Sequence, residues 1–94
     1  MFDVAYRLVA VAGAEDEVFE ALCASAAASR DEAAVSWFEV YRSDADPRTL
    51  LVVERYADDA GYQAHRGTAH YAAWKAASAG RIESSERFTG QRSS

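Results

Sequence analysis

Four strand-like segments and two helical segments follow one another along the chain in the order β-α-β-β-α-β. The strand candidates are rich in β-branched and aromatic residues or alternate apolar with polar, and the helix candidates carry apolar residues at helical spacing. This order is typical of the split arrangement in which two helices cover one face of a four-stranded antiparallel sheet. The sequence therefore predicts an α+β domain of ferredoxin-like topology.

Capping and turn residues set the boundaries of these segments. Gly13 ends the first strand, Asp58 or Asp59 is expected to cap the second helix, and Thr68 is expected to restart that helix after an interruption at Gly67. The predicted strands span 2–12, 35–42, 49–57 and 82–89, and the predicted helices span 14–29 and, with its interruption, 58–79. We expect one domain over residues 1–90 and a polar tail over 91–94.

The predicted sheet has no polar face. The first strand is apolar on both faces apart from Arg7, and the segment 50–53 is apolar on both faces as well. A second copy of the same sheet is the simplest cover for the face that the helices leave open. A domain this small buries only about 60 to 65% of its unfolded surface, so association would stabilise it. The sequence predicts a homodimer of the kind called a dimeric α+β barrel.

Composition and charge exclude several classes of protein. The net charge of −5, with no block of Lys or Arg, disfavours a nucleic-acid partner. No stretch is long and apolar enough to span a membrane, and the first residues lack the positive charge of a secretion signal, so we expect a cytoplasmic protein without a membrane partner. Cys23 is the single cysteine and lies at helical spacing with apolar residues, which predicts a buried thiol.

The usual signatures of cofactor and nucleophile chemistry are absent from the sequence. There is no glycine-rich nucleotide loop and no Gly-x-Ser-x-Gly motif. His65 and His70 are five residues apart with Gly67 and Thr68 between them, which is not the helical spacing that points two imidazoles at one metal ion. We therefore predict no metal and no organic cofactor.

Aromatic residues are abundant for a short chain, at 12% of the sequence. Such residues can form the core and a dimer interface, or they can line a pocket for a flat polycyclic ligand. The candidates for substrate contact are Tyr6, Trp37, Phe38, Tyr56, Tyr71 and Trp74.

Residues 51–60, His65 and the segment from Thr68 to Tyr71 resemble the central signature of the antibiotic biosynthesis monooxygenase family. That signature is a strand ending in Glu-x-aromatic, an acidic helix start, a histidine, and Ser/Thr-x-His-aromatic. The resemblance extends over roughly residues 3 to 90. Gly61 stands where the family usually has a larger apolar residue, and Tyr56 stands where a tryptophan is common.

The resemblance implies a ferredoxin-like fold, a dimeric barrel, and oxidation of a phenolic, anthrone- or quinol-type aromatic substrate by O2 without flavin, haem or metal. Relatives that degrade haem need an axial histidine, and the aligned segment here, 71–75, has none. Two other functions stay open: a non-oxidative isomerase or cyclase, and a ligand-binding dimer without catalysis.

The same resemblance directs attention to a few polar residues. His65 is the candidate general base, because a neutral imidazole can accept a proton at pH 7; the alternatives are a structural histidine, or a tyrosine such as Tyr6 as the base. Glu54 is expected to orient His65 or to pair with Arg55 or Arg7 across the sheet. Each of these arginines could bind a developing oxyanion or a carboxylate of the dimer partner.

Overall fold

A computed structural model describes residues 1–93 of the chain, and Ser94, the last residue of the predicted tail, lies outside the described residues. The strands are β1 (Phe2–Ala10), β2 (Val35–Arg42), β3 (Thr49–Tyr56) and β4 (Ile82–Gly90), and the helices are α1 (Glu15–Ser29), α2 (Asp59–Arg66) and α3 (Ala69–Ser78). The predicted order is confirmed, and the second predicted helix consists of two helices.

The four strands form one antiparallel sheet in the order β2-β3-β1-β4. All three helices lie on one face of this sheet, where Leu22 of α1 and Trp74 of α3 pack with Leu8 of β1 and Phe38 of β2. The fold is the ferredoxin-like α+β fold that the sequence predicts. None of the helices in residues 1–93 combines the length and apolarity of a membrane span.

Two side-chain caps produce the break between α2 and α3. The carboxylate of Asp58 accepts a hydrogen bond from the Gly61 backbone N–H at 2.8 Å and begins α2. The hydroxyl of Thr68 accepts from the Tyr71 N–H at 3.2 Å and begins α3, while it donates to the carbonyl of His65 at 2.7 Å. Both predicted caps are confirmed. The tight turn at Gly67 brings the end of α2 against the start of α3.

The prediction of a buried thiol is wrong, because Cys23 is exposed. The buried stripe of α1 consists of Val18, Leu22, Ser25, Ala26 and Ser29. Cys23 follows Leu22 by one residue and so points about 100° away from the stripe. Two serines, Ser25 and Ser29, complete the buried stripe beside Val18, Leu22 and Ala26.

Gly61 sits where the loop between α1 and β2 packs against α2. A Cβ atom at Gly61 would lie 2.7 Å from the Cβ of Ala34, which is too close for two carbon atoms. The carbonyl of Ala34 also accepts a hydrogen bond from the Ala57 N–H at 2.9 Å, which holds the loop against the chain segment before α2. The position therefore has no room for the larger residue that is usual in the resembling family.

The second face of the sheet carries large apolar side chains that no helix of residues 1–93 covers. They are Trp37, Tyr41, Leu51 and Phe88, with 40%, 55%, 42% and 66% of their surface exposed. We call this set the open sheet face. Exposed apolar area concentrated on one face is typical of an interaction surface.

Candidate active site

A cavity of about 260 Å³ lies between the helices and the sheet. All four strands and all three helices contribute to its walls, and five of the fourteen lining residues are aromatic. The aromatic residues that line it are Tyr6, Phe38, Tyr62, Tyr71 and Trp74. The sequence predicts four of these as substrate contacts, and Tyr62 is the one that it does not predict.

His65, near the end of α2, borders this cavity with a side chain that is only 4% exposed. Its ring lies 5.3 Å from the ring of Tyr71 and 5.7 Å from that of Phe38, measured between centroids. Nδ1 lies 2.8 Å from Oε2 of Glu32, a residue in the loop between α1 and β2. Because an ionised carboxylate only accepts hydrogen bonds, we assign the proton of the neutral ring to Nδ1.

The second ring nitrogen of His65 is free. Among residues 1–93, no side-chain nitrogen or oxygen is fully buried without a hydrogen-bond partner. Nε2 has no partner among these residues, so it reaches accessible space, and the cavity is the space that the ring borders. A neutral imidazole held in this tautomer presents a lone pair to the cavity and can accept a proton there.

Glu32 holds a second histidine with the same oxygen. Nε2 of His70, in the first turn of α3, lies 2.7 Å from Oε2 of Glu32, and the two imidazole centroids are 5.7 Å apart. The interpretation that the spacing of these histidines keeps their rings from converging is wrong. The break at Gly67 turns the chain, so a separation of five residues still brings both rings to one carboxylate.

Glu32, His65 and His70 are also the residues that could hold a metal ion, since one ligand atom from each lies within 4.8 Å of the others. Two ligands of one tetrahedral zinc ion lie about 3.3 Å apart, because each is about 2.0 to 2.1 Å from the metal. The nitrogen–oxygen distances of 2.8 and 2.7 Å are shorter and are those of hydrogen bonds. The geometry fits a carboxylate shared by two imidazoles better than a metal centre.

Glu54 lies on the wall of the cavity, and it is hydrogen-bonded to Tyr56 and not to His65. Its Oε1 accepts a hydrogen bond from the Tyr56 hydroxyl at 2.5 Å. Burial raises the pKa of the Glu54 carboxyl to about 7, against the lowering effects of that hydrogen bond and of the Arg87 guanidinium. The carboxyl therefore changes its charge near neutral pH, inside the cavity.

Tyr6 stays a phenol at neutral pH. Burial raises the pKa of its hydroxyl well above the usual 10, and the negative charge of Glu54 raises it further. A hydroxyl in this state can donate a hydrogen bond to a ligand but does not abstract a proton from one. Between the two bases that the sequence left open, the electrostatics favour His65.

Three of the predicted site residues lie on the opposite side of the sheet. The Arg55 guanidinium binds both carboxylate oxygens of Asp3 at 2.6 and 2.7 Å and lies 4.1 Å above the ring of Trp37. Arg7 approaches Glu86 at 3.9 Å, with both side chains exposed. Alternation along β1 and β3 places Arg7 and Arg55 away from the cavity, and Trp37 of β2 shares their face because it pairs with Arg55. Glu54 pairs with neither arginine for the same reason.

The remaining predicted residue, Tyr56, is fully buried behind the cavity wall. Its ring lies 5.5 Å from that of His65 and 5.3 Å from that of Tyr62. Burial, followed by the charge of Glu54, raises the pKa of the Tyr56 hydroxyl far above its usual range. The Tyr56 hydroxyl therefore positions the Glu54 carboxyl through the hydrogen bond that it donates.

Sequence reasoning missed Glu32, Arg87 and Lys75. Arg87 and Lys75 line the cavity, and Arg87 pairs across the sheet with Tyr6 and so shares its face. That face follows from strand alternation once the register is known, so alternation was the available signal for Arg87. Glu32 lies in a loop, 33 residues before His65, and carries no local signal.

Comparison with known proteins places the chain in a family. The family model described as "antibiotic biosynthesis monooxygenase" matches residues 1–77. The chain belongs to this family. Among curated proteins, none matches the sequence.

Several solved structures have the same fold as this chain. PA3566 from Pseudomonas aeruginosa has a TM-score of 0.93 at 19% identity, covering 99% of this chain and 94% of that one. A provisionally named antibiotic biosynthesis monooxygenase from Nitrosomonas europaea has a TM-score of 0.93 at 22% identity, covering 98% of both chains. Rv0793 from Mycobacterium tuberculosis has a TM-score of 0.91 at 20% identity, covering 99% and 95%. At these identities the likeness shows the shared fold.

Proposed function

We propose that this family member is a cofactor-independent monooxygenase that oxidises a phenolic, anthrone- or quinol-type aromatic substrate with O2. His65 is the general base, and the aromatic cavity binds the substrate. The observation that carries the proposal is the pairing of Glu32 with Nδ1 of His65, which leaves Nε2 free at the cavity. A carboxylate, an oriented imidazole and an adjoining pocket are the elements of general base catalysis.

The chemistry needs few protein groups, because the substrate supplies the electrons. Removal of the acidic proton turns an anthrone into an electron-rich anion that can reduce O2. In an anthrone, one oxygen atom enters at the CH2 carbon as a new carbonyl and the other leaves as water, so this CH2 group provides all four electrons. A phenol oxidised to its quinone, or a quinol oxidised to its hydroxyquinone, balances in the same way, with a ring C–H carbon in place of the CH2 carbon. No external reductant is required.

The side chains around the cavity have separate roles in the proposed reaction. The rings of Tyr71, Trp74 and Phe38 would hold a planar substrate and exclude water from its anion. The Tyr6 hydroxyl, which stays protonated, would donate a hydrogen bond to an oxygen of the substrate. Glu32 acts as a positioning residue for His65, since it fixes both the ring and its tautomer.

We propose also that a second copy of the chain covers the open sheet face. The four exposed side chains of that face, Trp37, Tyr41, Leu51 and Phe88, come from β2, β3 and β4 and lie on the same side of the sheet. An isologous dimer would bury this surface against its own copy without changing the cavity on the helical side.

Product analysis in ¹⁸O2 tests the oxygenase proposal. Anthrone and 1,4-dihydroxynaphthalene are incubated with protein in air and in ¹⁸O2, with O2 uptake recorded against a no-protein control. We expect catalysed O2 uptake and one ¹⁸O atom per molecule of anthraquinone formed from anthrone. Conversion without O2 uptake would point to an isomerase or cyclase, and tight binding without conversion would point to a ligand-binding dimer.

A further inference from the structure

Two cations at the cavity lack the carboxylate partners that most cations of this chain have. Six arginines form ion pairs in the described chain: Arg7, Arg30, Arg42, Arg48, Arg55 and Arg81. Arg87 and Lys75 have no carboxylate within ion-pairing distance among residues 1–93, and both line the cavity. Carboxylates outnumber cations in this chain, 15 to 10, so two cations without a carboxylate partner at the same cavity point to a binding role.

Arg87 is held in place for binding. Its Nη1 donates to the hydroxyl of Tyr62 at 2.9 Å, which fixes the guanidinium at the cavity wall and leaves its other N–H groups free. A guanidinium matches a carboxylate with two parallel hydrogen bonds, and a lysine ammonium adds a second positive charge. Lys75 projects from α3, so the two cations come from different sides of the cavity.

The burial of the lining residues distinguishes the mouth of the cavity from its interior. His65 is buried, whereas Arg87 and Lys75 are exposed, so the cations mark the mouth of the cavity and the base its interior. The one carboxyl group that lines the same cavity in residues 1–93, that of Glu54, is itself neutral for part of the population near pH 7, because burial raises its pKa to about 7. An anionic group of a ligand is therefore attracted to the mouth.

We propose that Arg87 and Lys75 form a carboxylate-binding subsite, and that the substrate is a compact hydroxylated aromatic carboxylate. The carboxylate lies at the mouth and the ring between Tyr71 and Trp74, with a hydroxyl directed toward His65. The cavity of about 260 Å³ is slightly smaller than the usual range of ligand pockets, about 300 to 1,000 Å³, which favours two fused rings over a large polycycle. This inference rests on the proposed function for the role of His65, but the subsite itself does not.

Binding measurements without O2 test the subsite. The probes are 5-hydroxy-2-naphthoate, whose hydroxyl and carboxylate lie on different rings, and its neutral counterpart 1-naphthol. They are titrated calorimetrically under nitrogen at pH 6, where Glu54 is mostly neutral, into the unmodified protein and into Arg87→Gln, Lys75→Gln and the double variant. The control is Arg81→Gln, which removes one charge at an ion pair with Glu17 outside the cavity.

We expect the unmodified protein to bind the carboxylate at least tenfold more tightly than 1-naphthol, with a preference that weakens as salt increases. Each cavity variant should lose most of that preference while its affinity for 1-naphthol stays the same, and Arg81→Gln should behave like the unmodified protein. Equal affinity for both probes, or a preference that survives the double variant, would overturn the subsite.

The two proposals fail in different ways. Carboxylate preference with no catalysed O2 uptake on any phenol would remove the oxygenase function and leave the subsite. Catalysed O2 uptake that is equally fast on acid and neutral substrates, and unchanged in Arg87→Gln, would leave the function and remove the subsite.

Discussion

Oε2 of Glu32 lies 2.8 Å from Nδ1 of His65, although the two residues are 33 positions apart and belong to different elements of the fold. One comes from the loop after α1 and the other from the end of α2. Their hydrogen bond decides which nitrogen of His65 carries the proton and which faces the cavity.

His65→Gln should lower the turnover number by roughly 10² to 10⁴, which is the usual contribution of a positioned general base. The amide keeps a polar group near Glu32 but cannot accept a proton in the same way. Single-turnover rates and thermal melts are measured on the same preparation. A loss of activity that only follows a loss of about 1 to 3 kcal/mol in unfolding free energy would mean that His65 is structural.

Glu32→Gln should lower kcat about 10- to 100-fold with little change in KM, because a hydrogen bond to a charged group contributes about 1.5 to 3 kcal/mol. The substrate does not contact Glu32 in our proposal, so binding is spared. Steady-state kinetics give both constants. Glu83→Gln, which alters an exposed carboxylate paired with Arg48, is the matched control and should leave kcat unchanged. A rise in KM alone would contradict the positioning role.

Glu54 should make the protein less stable as the pH rises toward neutrality. Burial raises the pKa of its carboxyl from the usual 4.5 to about 7 in the folded chain. The folded state therefore holds this proton more tightly than the unfolded state. The resulting stability is fully present below pH 4.5, declines as the pH rises to about 7, and is absent above that.

Glu54→Gln removes this dependence, since the amide stays neutral. The unfolding free energy of the variant minus that of the unmodified protein should therefore increase by on the order of 2 to 3 kcal/mol when the pH is raised from 4.5 to 8. Urea denaturation at both pH values measures the difference. A constant difference between the two proteins across this range would show that the carboxyl titrates alike in both states.

Sedimentation at micromolar concentration should give the mass of a dimer, because the open sheet face exposes Trp37, Tyr41, Leu51 and Phe88. Leu51→Asp places a charge in the centre of that face and should shift the protein to monomer. Ala76→Asp puts the same charge on an exposed position of α3 and should stay dimeric. A monomer in the unmodified protein would remove the dimer proposal.

The purified protein should turn over without a bound cofactor. We expect no visible absorption band, no stoichiometric metal by mass spectrometry, and unchanged O2 uptake after dialysis against EDTA. The short nitrogen–oxygen distances around Glu32 favour this outcome. Loss of activity on dialysis and its return with one divalent metal would show that Glu32, His65 and His70 act as ligands instead.

The sequence predicted local features well and long-range contacts poorly. The caps at Asp58 and Thr68 and the element order followed from residues that act within one turn of chain. The two faces of β1 followed from alternation. Glu32 could not be found in this way, because its partner at His65 depends on how the loop packs against α2. The placement of Trp37 and Arg55 away from the cavity required the register of β2 and β3 as well.

The contact between Gly61 and Ala34 limits how the sequence of this protein can evolve. The loop that carries Glu32 and the helix that carries His65 touch at a point where one hydrogen atom is all that fits. A single methyl group at residue 61 would push the loop away from the helix and lengthen the hydrogen bond between Glu32 and His65, although neither of these two residues is changed. Selection on catalysis would therefore act on a residue that has no functional group at all.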